Sequence, residues 1–247
     1  MRELIRPGWL IAAAVLLPIL LFVAVHTGFA AREERRATEA NAIARSETVT
    51  AAADAILSRT IGALDVLTTI RALPRGDVAG AYLRMRQVKA LNPDWVTVTL
   101  TRVSDGVELI DLRRALGPGI ARPRGPGLSS ATRFERIDRG GALCPCVVIE
   151  RAAPGTAGGY VVAVFLSTKV FERVLPAHRD EFELNAIATR QGNFVARSLA
   201  QAKRVGMPGS IHLRNAVRGG ETSGIYHGVT LEGVENYTAF TRSRARG

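Results

Sequence analysis

The sequence predicts an α+β protein in which an N-terminal transmembrane helix continues into a long helix and two antiparallel-sheet units follow. Three observations predict this class. Residues 8–25 are apolar and uncharged, residues 31–72 are rich in alanine and lack proline, and the remainder alternates short β-branched segments with turns that contain glycine or proline. Hairpins with helices to one side are typical of α+β domains.

The apolar run at residues 8–25 is long enough to cross a bilayer. Its eighteen residues span about 27 Å as a helix, close to the thickness of the hydrocarbon core. Arg2 and Arg6 precede the run, which favours a cytoplasmic N terminus. A cleaved signal peptide is the alternative, because residues 28–30 offer a small-x-small cleavage site, although the run exceeds the usual length. Either interpretation places residues 31–247 outside the cytoplasm.

Residues 31–72 are predicted to form one long helix that ends before Pro74. Apolar residues recur there at spacings of three and four; they are Ile43, Val49, Ala53, Ile56, Leu57, Ile61, Leu64, Leu67 and Ile70. The charged half near the membrane suits a stalk or a helix-pair seam, and the more apolar far half is expected to dock on a domain. Asp77 is expected to cap a second helix, Val78–Leu91.

Alternating and β-branched segments predict the strands of the first sheet unit. These strands are Trp95–Arg102, Val107–Leu112, Cys146–Arg151 and Tyr160–Leu166. Residues 117–127 are rich in glycine and proline but lack the Lys-Ser/Thr ending of a phosphate loop, so we interpret them as a connector. Short helices are predicted at residues 128–137 and 168–175.

A second, smaller unit repeats this order of elements without repeating their residues. Its predicted strands are Glu183–Arg190, Asn193–Arg197, Thr222–Val229 and Val234–Arg242, with a short helix within residues 209–218.

Cys144 and Cys146 flank Pro145. A disulfide between them would close a very small ring, so we predict that both are free in the folded monomer. A strained or intermolecular disulfide, or a metal or redox role, is the alternative. With no further cysteine or histidine nearby, the pair does not make a zinc site.

The chain carries 33 Lys and Arg against 22 Asp and Glu, a net charge of +11. Nucleic acid and anionic lipid are the partners such a charge suggests. The arginines are scattered, however, and no basic run alternates with aromatic residues. Together with the membrane segment, this favours a solvated surface and no nucleic-acid partner.

The sequence shows no assembled catalytic group. His26, His178, His212 and His227 are scattered, and neither a Gly-x-Ser-x-Gly elbow nor a phosphate loop occurs. A phosphoacceptor histidine block and the kinase nucleotide boxes are also missing. We therefore predict that this chain is not an enzyme by itself, and we expect no cofactor and no metal site.

Four segments behind the apolar run carry a family resemblance. Asp111–Gly117 is similar to a stretch Asn-Thr-Arg-x-Pro-x-Gly, Phe194–Ser198 to Ile-Val-Ala-Arg-Ser, and Val205–Pro208 to Val-Gly-x-Pro. Residues 233–243 look like a last hairpin. In this order they resemble the extracytoplasmic double-Cache (PAS-like) sensor regions of bacterial sensor histidine kinases, over about residue 32 to the C terminus.

The chain departs from the family pattern. Asp111 replaces Asn, and Ala115 replaces Pro. In the family a Gly-Trp with another strand, a second membrane helix and the kinase core follow the last hairpin, whereas this sequence ends at Gly247. We therefore expect a truncated chain whose last hairpin has an unpaired edge, with Ile225, Tyr237 and Phe240 incompletely covered. The aromatic/arginine signature of the amino-acid-binding Cache class is absent, so the sequence does not identify the ligand.

The resemblance implies an order of domains. Residues 1–7 form a cytoplasmic tail, 8–30 a transmembrane anchor, 31–175 the long helix with a membrane-distal Cache unit, and 176–247 an incomplete membrane-proximal unit. The chain would sit in the inner membrane with residues 31–247 in the periplasm.

The implied function is ligand sensing in a membrane-anchored signal-transduction receptor, in the first place a two-component sensor histidine kinase. A ligand held between sheet and helices would shift the populations of two sheet arrangements. The long helix would carry this change towards the membrane as a small slide or rotation. The alternatives are the sensor part of a diguanylate cyclase or chemoreceptor, and an anchored or secreted envelope protein that binds or scaffolds without signalling.

Arg113, after the second strand, is the first candidate for contact with a polar ligand. A cation near a mostly apolar cleft selects carboxylates, so the unidentified small-molecule ligand is expected to bear one. Arg102, Asp111, Arg151 and Tyr160 are further candidates. The alternative for Arg113 is a solvent-facing or turn-capping role. The other expected partners are the membrane and a second copy of the chain, paired through the long helix.

Overall fold

The computed structural model describes residues 6–121, 133–138, 144–155, 158–176 and 184–243, and only the backbone for 6–15 and 133–136. Its helices are α1 (Arg6–Thr68), α2 (Val78–Ala90), α3 (Lys169–Glu172), α4 (Gln201–Arg204) and α5 (Ile211–Arg218). Its strands are β1 (Trp95–Arg102), β2 (Val107–Asp111), β3 (Ile120–Ala121), β4 (Arg133–Asp138), β5 (Cys146–Ala153), β6 (Tyr160–Ser167), β7 (Ala186–Ala188), β8 (Phe194–Arg197), β9 (Ser223–Val229) and β10 (Glu235–Thr241).

Helix α1 is continuous from the apolar run into the long helix, as predicted, and includes Pro18. Within the described residues it is the one helix whose length and hydropathy suit a membrane crossing. It ends at Thr68, before the predicted Ala72. There the Thr68 hydroxyl donates to the Asp65 carbonyl at 2.8 Å, and Leu73 N–H turns back to the Ile70 carbonyl at 3.1 Å.

Helix α2 begins where the sequence predicts. The Gly80 N–H donates to Asp77 Oδ1 at 2.8 Å, which satisfies one of the free amides of the first turn. The helix ends at Ala90, and the Asn92 side chain donates to the Val88 carbonyl at 2.8 Å just after it.

The first unit is an antiparallel six-stranded sheet of order β3-β2-β1-β6-β5-β4. β1 and β6 lie at its centre, with Val98 opposite Val164 and Thr97 opposite Phe165. Residues on one face pack with α1 and α2 into the main core, which includes Leu64, Leu67, Met85, Val98, Leu100, Ile110, Ile149, Val162 and Val164. A second, smaller cluster, Cys146, Val148, Ala163 and Phe165, forms on the opposite face.

The short helix predicted at residues 128–137 is wrong where the structure describes it. Residues 133–138 form β4, which pairs with β5; residues 128–132 lie outside the described residues. Pairing along an edge of the sheet prevails here over local helix propensity. The connector predicted at 117–127 contains the short strand β3, which pairs with β2.

The prediction that Cys144 and Cys146 are free is also wrong, because the two form a disulfide. Their Cα atoms lie 4.8 Å apart, within the range that disulfides span. Pro145 between them is held at the start of β5, since its carbonyl accepts the Thr168 N–H at 3.2 Å and the Thr168 hydroxyl at 3.1 Å.

Within the described residues, the second unit contains two separate two-stranded sheets, β7-β8 and β9-β10. The turn before Pro208 occupies the other side of β8. Phe194 N–H donates to the Met207 carbonyl at 3.0 Å, and Gly206 N–H donates to the Phe194 carbonyl at 2.7 Å. Gly206 has φ +71°, which favours glycine. Two of the segments that carry the family resemblance are thus hydrogen-bonded to each other.

The β9-β10 hairpin lies between two helices. β10 contacts α1, and a Cβ at Gly228 of β9 would meet His212 of α5. Arg242, just after β10, donates to the Val217 carbonyl at 2.7 Å at the C-terminal end of α5. Of the three side chains expected to be incompletely covered, Tyr237 is exposed and Ile225 and Phe240 are half-buried.

Candidate ligand site

The candidate site forms around Asp111, the last residue of β2. The Thr97 hydroxyl, on the neighbouring β1, donates to Asp111 Oδ1 at 2.8 Å. Arg113 turns back onto the same carboxylate: its Nε lies 3.1 Å from Oδ1 and its Nη2 lies 2.7 Å from Oδ2. The Arg113 backbone N–H also donates to Oδ1 at 3.0 Å. A strand end and a tight turn therefore build a two-point ion pair.

The electrostatics of this pair favour the charged carboxylate. Burial of Asp111 raises the pKa of its carboxyl group, but the hydrogen bonds from Arg113 and Thr97 outweigh burial and lower the pKa overall. The Arg113 pKa rises, chiefly through its hydrogen bonds to Asp111. Both groups are charged at neutral pH. Arg113 retains 29% of its side-chain exposure, so the side chain is accessible to a ligand.

The pair lies on the sheet face opposite α1. Directly paired residues project from the same face, and Asp111 is opposite Thr99, which is opposite Ala163 of the smaller apolar cluster. The Arg113 guanidinium lies 5.7 Å from the centre of the Phe165 ring, within the range of a cation–π contact. This face therefore combines small, aromatic and ionic groups.

A second ion pair links the start of β2 to the residues that follow the strand. Glu108 is buried, and Arg114 Nη2 donates to its Oε1 at 2.8 Å. The Tyr82 hydroxyl of α2 donates to the Arg114 carbonyl at 3.5 Å. These contacts fix the backbone that follows β2 against α2.

A cavity of about 300 Å³ opens between α2 and this backbone, at the lower end of the volumes of small-molecule sites. Its lining residues are Tyr82, Leu109, Ile110, Asp111, Arg114, Ala115, Leu116, Gly117, Pro118, Gly119 and Ile120. Five of these eleven lining residues belong to the Asp111–Gly117 segment that carries the family resemblance. Asp111 lines the cavity, whereas Arg113 supports Asp111 from outside the lining.

The space between the sheet and the helices, where the sequence predicts ligand capture, is occupied by the main core. Leu64 and Leu67 of α1 and Met85 of α2 are fully buried there. The polar groups that can orient a ligand lie instead at the end of β2 and on the opposite face.

The structure brings together two of the five predicted site residues, Asp111 and Arg113, and separates the others. Arg102 pairs with Asp105 at 2.9 Å, on the surface of the β1-β2 turn. Arg151 pairs with Asp65 of α1 at 2.6 Å, which ties β5 to the long helix. Tyr160 is buried in the main core.

Sequence reasoning missed Thr97, Phe165 and Tyr82. The alternation in β1 carries a signal for Thr97, because Thr97 and Thr99 are polar residues that recur every second position in a strand with apolar flanks. Phe165 and Tyr82 come from distant elements, and nothing in the local pattern links them to Asp111.

Comparison with known proteins finds no matching family model and no matching curated protein. A solved structure, the extracellular domain of the proposed histidine kinase rpHK1S-Z16, superposes with a TM-score of 0.58 at 15% sequence identity. The match covers 87% of this chain and 91% of that chain. This similarity shows that the two share a fold: a long N-terminal helix followed by antiparallel-sheet units in an α+β arrangement.

Proposed function

We propose that this chain is the membrane anchor and extracytoplasmic ligand-sensing region of a transmembrane signalling receptor of the sensor histidine kinase type, built from two Cache units. One observation carries the proposal: α1 runs without a break from the apolar segment into the core of the six-stranded sheet. A shift in sheet packing would act directly on a helix that enters the membrane. The shared fold with an extracellular histidine kinase domain supports this assignment.

The proposed ligand site is the cavity beside Asp111, with Arg113 as the adjoining cation. Burial and paired charges fix both groups in place, so a small ligand would meet a preorganised site. A ligand carboxylate would approach the exposed part of Arg113, and a ligand amine would approach Asp111. The proposed class is therefore a small carboxylate, with amino acids and amines as comparison ligands.

A thermal-shift screen of the full chain in lipid nanodiscs tests the site with small carboxylates, amino acids and amines. A carboxylate is expected to raise the melting temperature, and Arg113→Ala is expected to weaken its binding about tenfold or more, since charge-assisted contacts contribute about 1.5–3 kcal/mol. Arg102→Ala is the matched control, because Arg102 is paired only at a surface turn. Equal binding by wild type and Arg113→Ala would remove Arg113 from the site.

Hydrogen exchange separates a receptor from an envelope scaffold once a ligand is found. Signalling through α1 requires changed amide protection in residues 35–54, between the apolar run and the sheet core. A scaffold predicts changes confined to the cavity wall. The codons downstream of Gly247 would then distinguish a kinase from a diguanylate cyclase or chemoreceptor output.

Membrane topology is tested separately. We propose a single crossing of the inner membrane by residues 8–30, with residues 31–247 in the periplasm. Alkaline phosphatase fused after Arg102 should be active, and a reporter that works only in the cytoplasm should be inactive at the same position. The reverse pattern would contradict this topology.

A second copy is the proposed protein partner, paired along the exposed part of α1 that precedes the sheet. Residues 31–38 are exposed on all sides of the helix in the single chain. Light scattering in nanodiscs or detergent, together with cysteine cross-linking at successive positions of this stretch, measures the pairing. Cross-links that recur with helical periodicity support a helix pair, and uniform absence contradicts it.

A further inference from the structure

Two contacts fix the direction in which β10 runs beside α1. The Thr50 hydroxyl donates to the Thr241 carbonyl at 3.5 Å, and the Arg35 guanidinium lies 5.4 Å from the Tyr237 ring centre. A hydrogen bond between Ser243 and Asp54 continues the series. Residue numbers therefore increase in the same direction along β10 and along the part of α1 beside it. The turn that joins β9 to β10 therefore points towards the apolar run.

The rise per residue of a helix and of a strand gives the distance of this turn from the apolar run, measured along α1. Thr50 follows Val25 by 25 residues, about 38 Å of helix. Val234 precedes Thr241 by seven residues, about 23 Å of strand. The difference places Val234 about 15 Å beyond Val25, and about 7 Å beyond the level of Ala30. The headgroup layer of a bilayer extends about 5–8 Å beyond the hydrocarbon core, so the turn reaches the level of the headgroups.

An exposed apolar side chain lies at this level, because Val234 is 43% exposed. Tyr237 lies about 10 Å further from the membrane along β10. There His227 flanks the Tyr237 ring at 5.0 Å, and the Arg35 guanidinium lies on the ring. The turn, and not the strand above it, therefore reaches the headgroups.

Charge does not select anionic lipid here. Glu232 in the turn is neutralised by Arg197 and Arg204, at 2.5 Å and 3.5 Å, and Arg35 is paired with Glu39 at 2.8 Å. The stretch from Arg32 to Glu39 holds equal numbers of arginine and glutamate. Contact with a bilayer would therefore depend on apolar side chains and would not require an anionic headgroup.

We infer that the β9-β10 turn rests on the outer surface of the bilayer, with Val234 among the lipid headgroups. This inference rests on the proposed membrane insertion of α1. The bilayer then serves as a support for the second unit, which is in contact with both the membrane and the long helix.

Site-directed quenching tests the contact in the full chain. Single cysteines introduced as Val234→Cys and Leu91→Cys are labelled with a small fluorophore, while the native disulfide leaves Cys144 and Cys146 unreactive. Leu91 is the matched control, because it is 82% exposed and lies at the end of α2, far along the chain from the apolar run. The chain is reconstituted in phosphatidylcholine vesicles that contain a lipid with a nitroxide on its headgroup.

The label at Val234 is expected to be quenched about twofold or more over the label at Leu91, and equally when phosphatidylglycerol is added. A third variant, Val23→Cys, reports insertion through quenching by a nitroxide on the acyl chain. If Val23 is quenched and Val234 behaves like Leu91, the surface contact is wrong while membrane insertion stands. Lack of acyl-chain quenching at Val23 would overturn the membrane anchor itself, and the surface contact with it.

Discussion

Arg197 and Glu232 form a two-point ion pair that joins the end of β8 to the turn between β9 and β10. Arg197 Nη1 lies 3.0 Å from Glu232 Oε1, and its Nη2 lies 2.5 Å from Oε2. The Arg197 side chain is 1% exposed, so Glu232 rather than water compensates its positive charge. The hydrogen bonds from Arg197 hold the pKa of Glu232 below its usual range. The pair links the two small sheets of the second unit.

Glu232→Ala should destabilise the protein by about 3–5 kcal/mol, because it leaves a buried guanidinium without its counter-charge. Urea unfolding of the full chain in detergent measures the loss. Glu235→Ala, an exposed glutamate three residues later, is the control and should change stability by less than about 0.5 kcal/mol. Equal effects of the two variants would show that the ion pair contributes little.

Asp111 should make stability depend on pH in the acid range. The folded protein lowers its pKa from the ordinary 3.8, so ionised Asp111 stabilises the fold above that value, and the contribution is lost as pH falls through the lowered pKa. Asp111→Asn should melt at a lower temperature than wild type at pH 7, and the difference should shrink below about pH 4. Melting curves from pH 7 to pH 2.5 check this. A difference that stays constant with pH would contradict the assignment.

The two cysteines should resist alkylation until they are reduced. Mass spectrometry of the folded chain without reductant should show no label, and the same sample after reduction should show two. The loop closed by the bond contains only Pro145 between the cysteines, so its loss should cost no more than about 1–2 kcal/mol. Cys144→Ser with Cys146→Ser measures that cost, and two labels without reductant would contradict the bond.

Gly62→Ala should stabilise the protein by about 0.5–1 kcal/mol. Gly62 lies inside α1, and a Cβ there meets nothing within 4 Å, so alanine adds helix propensity without a clash. Gly220→Ala is the control, since it is equally open but lies outside the helices. A loss of stability in Gly62→Ala would indicate that a second helix packs closely against this position, as a helix pair along α1 would require.

Periodic patterns predicted the fold class because each long element has its own period. The α1 stripe, the Asp77 cap and the alternation in β1 each follow from neighbouring residues, and all three are confirmed. Residues 133–137 were predicted as part of a helix because the pairing with β5 that makes them a strand lies outside the segment itself. The separation of the second unit into two sheets likewise depends on the Gly206 turn beside β8.

The predicted site residues that the structure brings together are those that are close in sequence. Asp111 and Arg113 are two positions apart and meet across one turn. Arg151 and Tyr160 were further candidates, but Arg151 pairs with Asp65 of α1 and Tyr160 is buried in the main core. The disulfide between Cys144 and Cys146 was considered and rejected because of its small ring, yet the backbone at Pro145 brings the two Cα atoms to 4.8 Å.

Because α1 is continuous, the number of residues between the apolar run and the sheet sets the rotational orientation of the membrane segment. Each residue turns a helix by about 100° and advances it by about 1.5 Å. One residue inserted between Val25 and Arg35 would therefore turn the apolar run by about a quarter of a revolution while every contact above Arg35 stays in place. Seven inserted residues would return the same side of the run to within about 20° and raise the sheet by about 10 Å. Length variants in this interval thus separate rotation of the membrane segment from its distance to the sheet.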